Sequence, residues 1–414
     1  MIWNYKPNHQ FIEKSVAKEV ITNEKKDIID VLKPYRAVIH TDNTYKGTTS
    51  TSYIQSVLSY LENVNADDLT LIDNNLSVQQ INELMSVNNR LTMFWSANIP
   101  LQSFIEILKF ETEYLPEISF DRIILDWNSI NKNRKLTVFL LNTTNRTLYQ
   151  TTIEHQVESR VLNTFVEPTK SFYIYTEIKR GNFLSLYTPV NSVESVKYMY
   201  LMNKDIPIDK FKKILFQNQE IIQQSETDSI KQYNDSMSRM TVDTKNRILN
   251  YVYPRSVGLA NIEPSRLLRE SFNFINEHGG YNADYRLSLI NIDKHIVEYQ
   301  MYYQGLPVFS AETATKISTT WGDEEIHKYR RPYYVLENDI PTEMKVKYLP
   351  SGLEIVEKYV HSDEDIKDLV LGYYLIQNLE LNVFELEPAW FTLKENSWER
   401  VKLENIGGIP NGLE

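Results

Sequence analysis

The sequence predicts an α+β fold of several domains, with antiparallel sheets carrying packed helices, and three observations predict it. Strand-like runs come in pairs closed by short polar turns; KLTVFLL (135–141), NTTNR (142–146) and the TLYQTTI that follows make one such hairpin. A helix followed by a hairpin is expected twice near the C-terminus, over 262–310 and 362–402. An apolar share of 42% across 414 residues is enough for more than one core, and usual domain sizes give roughly two to four domains. The expected division is an N-terminal α+β domain over 1–160, a central one over 161–255 and a C-terminal one over 256–406.

Taken in order, residues 8–33 carry helical spacing (Ile12, Val16, Val20, then Ile28, Ile29, Leu32), and Pro34 closes them. AVIH (37–40) reads as a strand leading into a polar stretch, 41–52. A helix follows on Ile54, Val57, Leu58 and Leu61, and another on SVQQINELM (77–85), with Ser77 as its N-cap. NIPLQSFIEILK (98–109) and DIPIDKFKKILF (205–216) echo each other, each after an apolar strand-like run. Proline at a helix start gives up a donor that has no partner there anyway. Phe104/Ile107/Leu108 and Phe211/Ile214/Leu215 then fall on one apolar stripe, so both segments are expected to be helices facing a sheet.

The polar run from 218 to 240 suggests a hairpin or an inter-domain stretch, and RILNYVYP (247–254) a strand. Pro264 opens a helix with Leu267, Leu268, Phe272 and Ile275 on one face, stopped at HGGY (278–281) by glycines in the left-handed C-cap. Ser362 is expected to cap a further helix with an acidic first turn, 363–365, and a face of Ile366, Leu369, Val370, Tyr373 and Tyr374. LNVFELEPAWFTL and SWERV then read as strands.

Composition excludes several chemistries. With no cysteine there is no thiol catalysis, disulfide or thiolate metal site. A formal charge of −11 with only short basic clusters gives no nucleic-acid face. Only twelve glycines in the whole chain argue against a phosphate-cradling loop, which needs closely spaced glycines, and no cofactor is expected. The seven histidines are scattered, with no HExxH and no GxSxG elbow elsewhere; no metal or catalytic residue is assigned. Acidic clusters such as Asp67/Asp68 read as solvated surface. No apolar run reaches the ~18–20 residues of a membrane span.

What stands out is tyrosine, 27 of them, concentrated in YIY, YMY, YQMYY, RRPYY and GYY. In a half-buried strand, a tyrosine packs its ring and keeps its hydroxyl wet, and that reading makes them scaffold. The sharper reading is a contact groove for protein or peptide built on Tyr299, Tyr302, Tyr303, Phe309, Tyr333 and Tyr334. In YQMYYQGLPVF (299–309), Gly305 and Pro307 are expected to set a bend or bulge, with alternate tyrosines under the helix and the others facing water or a partner.

Read in order, WNYKPN, TMFWSANIPL, RILNYVYP, YQMYYQGLPVF, RRPYYVL and LEPAWFTL resemble the YycH family of Firmicutes over essentially the whole chain. The C-terminal half also resembles YycI and the PepSY-like (cystatin-like) modules. The resemblance implies a single N-terminal transmembrane anchor, absent from this chain, and a domain on the extracellular face. Trp3 and Tyr5 would then be juxtamembrane residues, as aromatic residues beside a lysine at an interface suggest. It implies a non-catalytic regulator that works with the YycI ectodomain on the sensor histidine kinase WalK (YycG), which controls cell-wall metabolism. The kinase contact would run largely through the absent helix, and a homodimer is a further expected association. An extracellular module binding peptide or wall polymer through the tyrosine-rich strands is the alternative.

Overall fold

A computed structural model describes residues 25–403 apart from 113, 203, 217–220, 255–261, 323–324, 337–342, 361–365 and 395–396. Trp3, Tyr5, most of the 8–33 helix, Ser362 and the 363–365 run lie outside the described residues. Within 28–33 the helix that Pro34 was expected to close spans Ile28–Val31.

Among the described residues the strands form two large sheets, and the chain passes from one to the other near residue 190. The first has nine strands, all antiparallel, in the order Phe183–Pro189, Tyr173–Arg180, Thr44–Thr48, Arg36–Thr41, Arg90–Pro100, Ser119–Asp126, Leu136–Asn142, Thr147–Ile153, Thr70–Asp73. The second has fourteen strands from Val193 onward. The stretch 161–255 therefore has no sheet of its own: Tyr173–Pro189 completes the first, and Val193–Leu201 and the meander Gln223–Val252 join the second. No described helix is long and apolar enough to cross a membrane.

Most local readings carry over. The helix Thr51–Glu62 buries Ile54, Val57, Leu58 and Leu61, with Ser50 as its cap. Val78–Met85 starts on a capping box in which Ser77 and Gln80 satisfy each other's backbone N–H groups. Pro264–Glu277 buries Leu267, Leu268, Phe272 and Ile275. It ends as a left-handed C-cap, with Gly279 and Gly280 at φ 110° and 64° and Gly280 N–H donating to the Ile275 carbonyl at 2.8 Å. The buried Arg331 guanidinium donates to the His278 and Gly280 carbonyls at 3.4 and 3.0 Å, a cation set against the helix C-terminus.

Three expectations are corrected. In the pair of echoing segments, only Ile208–Leu215 is an α-helix. The other continues as a strand to Pro100, makes a 3-10 turn over Leu101–Ser103 and runs on in turns, because Lys109–Phe110 is immediately recruited beside Asn65–Ala66. Phe104, Ile107 and Leu108 are fully buried all the same, so the apolar pattern reported burial and not helix. Ile366, Leu369, Val370, Tyr373 and Tyr374 lie on a thirteen-residue strand, Ile366–Asn378, paired with the Val383–Lys394 strand. A strand covered on both faces shows nearly continuous apolar residues, and any such run contains a helical subset. The helix that precedes this hairpin is Gly352–Tyr359, started by a capping box of Ser351 and Glu354.

YQMYYQGLPVF is not a bent strand but a hairpin. The strand Ile296–Tyr303 turns through Gln304 and Gly305, both at positive φ (49° and 77°), into Leu306–Phe309. That is the two-residue turn whose twist matches its strands. Leu306–Phe309 then pairs in parallel with Ile366–Asn378, Val308 opposite Tyr373. It is the one parallel pairing within the second sheet among the described residues, and it joins that sheet's two antiparallel parts.

Gly305 also packs against the first half of the chain: a Cβ there would fall within contact distance of the Thr49 carbonyl oxygen. Gly305→Ala is expected to combine left-handed strain with that clash and cost on the order of 2 kcal/mol or more. A urea midpoint within error of wild type would contradict it.

Candidate interaction surface

The six aromatic residues singled out from the sequence do not converge on one open groove. Tyr299 is fully buried beneath the Pro264–Glu277 helix, its hydroxyl donating to Ser271 Oγ at 3.3 Å. Tyr302 points the other way, into the first half of the chain and not into water, with the Arg286 guanidinium 4.3 Å from its ring centre. Tyr303 is half-buried, its hydroxyl bonded to that of Tyr200 and its ring edge-on to Tyr198 and Tyr373. Phe309, also half-buried, packs on Phe391 with ring centres 4.4 Å apart. Tyr333 and Tyr334 are buried; Tyr334 donates to the Ala314 carbonyl at 2.8 Å. Tyr299, Tyr302, Tyr333 and Tyr334 are therefore buried in this conformation, with both faces of the Ile296–Tyr303 strand covered.

The covering is done across a polar junction that the sequence did not reveal. Arg36, on the Arg36–Thr41 strand, donates to both oxygens of Asp368 at 2.9 and 2.8 Å and to the carbonyls of Tyr187 and Leu369. Its guanidinium lies 4.4 Å from the Phe94 ring centre, and Tyr35 donates its hydroxyl to Asp368 as well. Both side chains of the ion pair are almost wholly buried, at 3% and 4% exposed. Burial disfavours the Arg36 cation, but the Asp368 carboxylate outweighs it and holds the guanidinium above its ordinary range. Arg286 makes a second junction, donating to the Pro34 carbonyl at 2.8 Å and to Asp284 at 2.9 Å.

Beside Arg36 a crevice of about 300 Å³ opens between the halves, with Tyr173, Tyr175, Phe172, Pro307 and Trp390 in its wall. Its charged lining residue, Arg36, is already neutralised by Asp368, so the crevice offers apolar and hydroxyl contacts and no net charge. Among the described residues no three His, Asp or Glu side chains converge as a metal site would require.

The exposed apolar surface lies elsewhere. The strand Glu343–Leu349, EMKVKYL, forms one end of the second sheet: it pairs with Val193–Leu201 and, among the described residues, with nothing on its other side. Met344, Val346 and Tyr348 are 58%, 55% and 66% exposed. Register sets them opposite Tyr198, Val196 and Glu194, so with Tyr198 and Leu386 they continue the apolar face that the rest of the sheet buries. The opposite face is charged, with Lys197 on Glu385 and Glu387 at 2.6 and 3.1 Å and Lys347 on Glu387 at 3.2 Å. This strand was not singled out from the sequence, though its strict alternation of apolar and charged residues is the signature of a two-faced strand.

Comparison with known proteins gives a consistent result. Residues 1–171 match the family model described as YycH protein, N-terminal domain, and residues 184–407 the one described as YycH protein, C-terminal domain. The chain is 20% identical over 410 residues to the Two-component system WalR/WalK regulatory protein YycH of Bacillus subtilis (strain 168), covering 94% of this chain and 89% of that protein. Its fold is similar to that of the crystal structure of YycH from Bacillus subtilis, with a TM-score of 0.77 at 18% identity over 93% of this chain and 99% of that one.

Two predictions follow from the buried junction and the buried tyrosines. Asp368→Ala strands the Arg36 cation in the interior and is expected to cost about 3–5 kcal/mol, whereas Arg36→Met with Asp368→Leu recovers much of it. Equal urea midpoints for the single and double variants would contradict this. Burial also pushes Tyr302 and Tyr333 up to about 12, against about 10 in an unfolded chain. The folded state keeps protons that the unfolded state releases, so stability is full below pH ~10 and falls as pH rises from there toward ~12. Phenolate absorbance from these residues should appear with unfolding; its full appearance in still-folded protein would refute the assignment.

Proposed function

Since this chain belongs to the YycH family, we propose that it is a non-catalytic regulator on the extracellular side of a membrane, acting in a two-component system by contact with other proteins. The expected partners are the YycI ectodomain and the sensor kinase WalK (YycG) of a system governing cell-wall metabolism. The observation that carries the reading is the uncovered apolar stripe of Met344, Val346 and Tyr348. Apolar side chains in a row at the open end of a sheet expose surface that a partner would bury, and each anchor residue in such a contact is worth on the order of 1–2 kcal/mol or more.

Contact alone does not regulate. A bound regulator shifts a kinase between signalling states only by its difference in affinity for them, and each ~1.4 kcal/mol of difference moves the ratio tenfold. A rigid binding module suits that task, because little of the contact energy goes into ordering its own chain. The crevice at the junction supports a second reading, a peptide- or wall-polymer-binding module, with aromatic walls and hydroxyl groups at hand.

The first reading is tested by titrating the YycI ectodomain against this chain. Met344→Ser, Val346→Thr and Tyr348→Ser together are expected to weaken the complex at least tenfold, about 1.4 kcal/mol. Tyr299→Phe, inside the core, should leave it unchanged. Undiminished binding by the triple variant, or no complex with wild type, would overturn the assignment.

A further inference from the structure

Resting on the reading of Glu343–Leu349 as a partner surface, we infer that the partner contributes an extended strand with alternating apolar and acidic residues, which adds to the sheet along this edge. Two features point to a strand and not to a helix laid on the face. Glu343–Leu349 has a paired neighbour on one side only, so alternate backbone N–H and C=O groups along its free side have no partner strand among the described residues. The exposed apolar residues are also spaced by two, matching the side-chain period of an added strand.

The chemistry of the partner comes from what it would face. In an antiparallel pair, directly opposed residues share a face. An incoming strand therefore presents one row of side chains to Met344, Val346 and Tyr348, and the other to Glu343, Lys345 and Lys347. The first row is apolar by the hydrophobic requirement. The second is acidic opposite the two lysines: the Lys345 and Lys347 side chains are 63% and 46% exposed at the outer margin of the sheet. Their pairs with Glu343 at 2.7 Å and Glu387 at 3.2 Å are surface ion pairs of small worth that leave ammonium hydrogens for a further carboxylate. Like charges set opposite each other destabilise a strand pair, and unlike charges favour it.

The same lysines argue against a second copy of this chain as the occupant. The register that overlaps the whole strand, a two-fold antiparallel pairing centred on Val346, sets Lys345 opposite Lys347 twice over; registers that bring Glu343 opposite a lysine, centred on Met344 or Lys345, leave part of the apolar row unpaired. In full overlap the edge thus disfavours itself while accepting an acidic strand, which is how edge lysines give selectivity as well as solubility.

The test uses the whole chain and two fluorescein-labelled seven-residue peptides, one alternating valine with glutamate and one alternating valine with lysine. By fluorescence polarisation at low salt, the glutamate peptide should bind saturably and about tenfold or more tighter than the lysine peptide, and weaken as salt is added. Lys345→Glu with Lys347→Glu should reverse the preference, while Val346→Thr with Tyr348→Thr should weaken both peptides, each variant keeping wild-type circular dichroism. Equal affinities, no saturation by either peptide up to about 1 mM, or sedimentation showing a dimer that the lysine variant abolishes would each overturn the inference. If YycI binds but is indifferent to the lysine double variant, the strand chemistry fails and the regulatory reading stands. If the peptides discriminate and YycI does not bind, the reverse holds.

Discussion

The Arg36–Asp368 pair is the constraint around which the two halves of this protein are arranged. The residues are separated by most of the chain and meet where solvent is excluded. An ion pair in that position contributes little net energy beyond what apolar residues of the same size could give, yet it is costly to break, because either partner alone is a bare charge in the interior. It also has direction. The guanidinium reaches carbonyls of Tyr187 and Leu369 as well as the carboxylate, so the first sheet meets the 366–378 strand in one register and not in a sliding set of them.

A second seam reinforces the first. The strand Leu306–Phe309 is only four residues long, but it hydrogen-bonds to both antiparallel parts of the second sheet while its turn glycine lies against Thr49 of the first half. The crevice sits where these seams run side by side, with Arg36 on one wall and Pro307 on another. Joined in this way, the halves share one continuous apolar cluster, which takes in Leu32, Trp95 and Phe104 together with Leu267, Tyr285 and Tyr299. What this body leaves uncovered is the apolar surface at the Glu343–Leu349 end of the second sheet.

That surface is set by where the covering stops. Along the second sheet, one face is buried by helix, tyrosine layer or the opposite half until the last strand, where the apolar side chains continue and the cover does not. Tyr299, Tyr303, Tyr373 and Tyr198 are thus the inner portion of a face whose outer margin is Met344, Val346 and Tyr348. The density of tyrosines reflects the need to fill a wide interior with large rings whose hydroxyls find partners, as Tyr299 does on Ser271 and Tyr334 on Ala314.

The sequence by itself determined the α+β class, most strands, and the helices whose start signals are local: Ser77 with Gln80, Pro264 before its apolar stripe, and the glycines that end it. These depend on hydrogen bonds and dihedral preferences within a few residues, and such information is written in consecutive positions. It also carried the family resemblance, which rests on the order of short stretches along the whole chain. Only the tertiary structure decided that Ile366–Asn378 is a strand, that one of two echoing segments lacks its helix, and that YQMYY faces inward. Each depends on what lies across the interface, and an apolar residue at a given position records that it will be covered without recording by what. Arg36 and Asp368 were illegible for the same reason. A charged residue in a strand reads as surface until a partner more than three hundred residues away neutralises it.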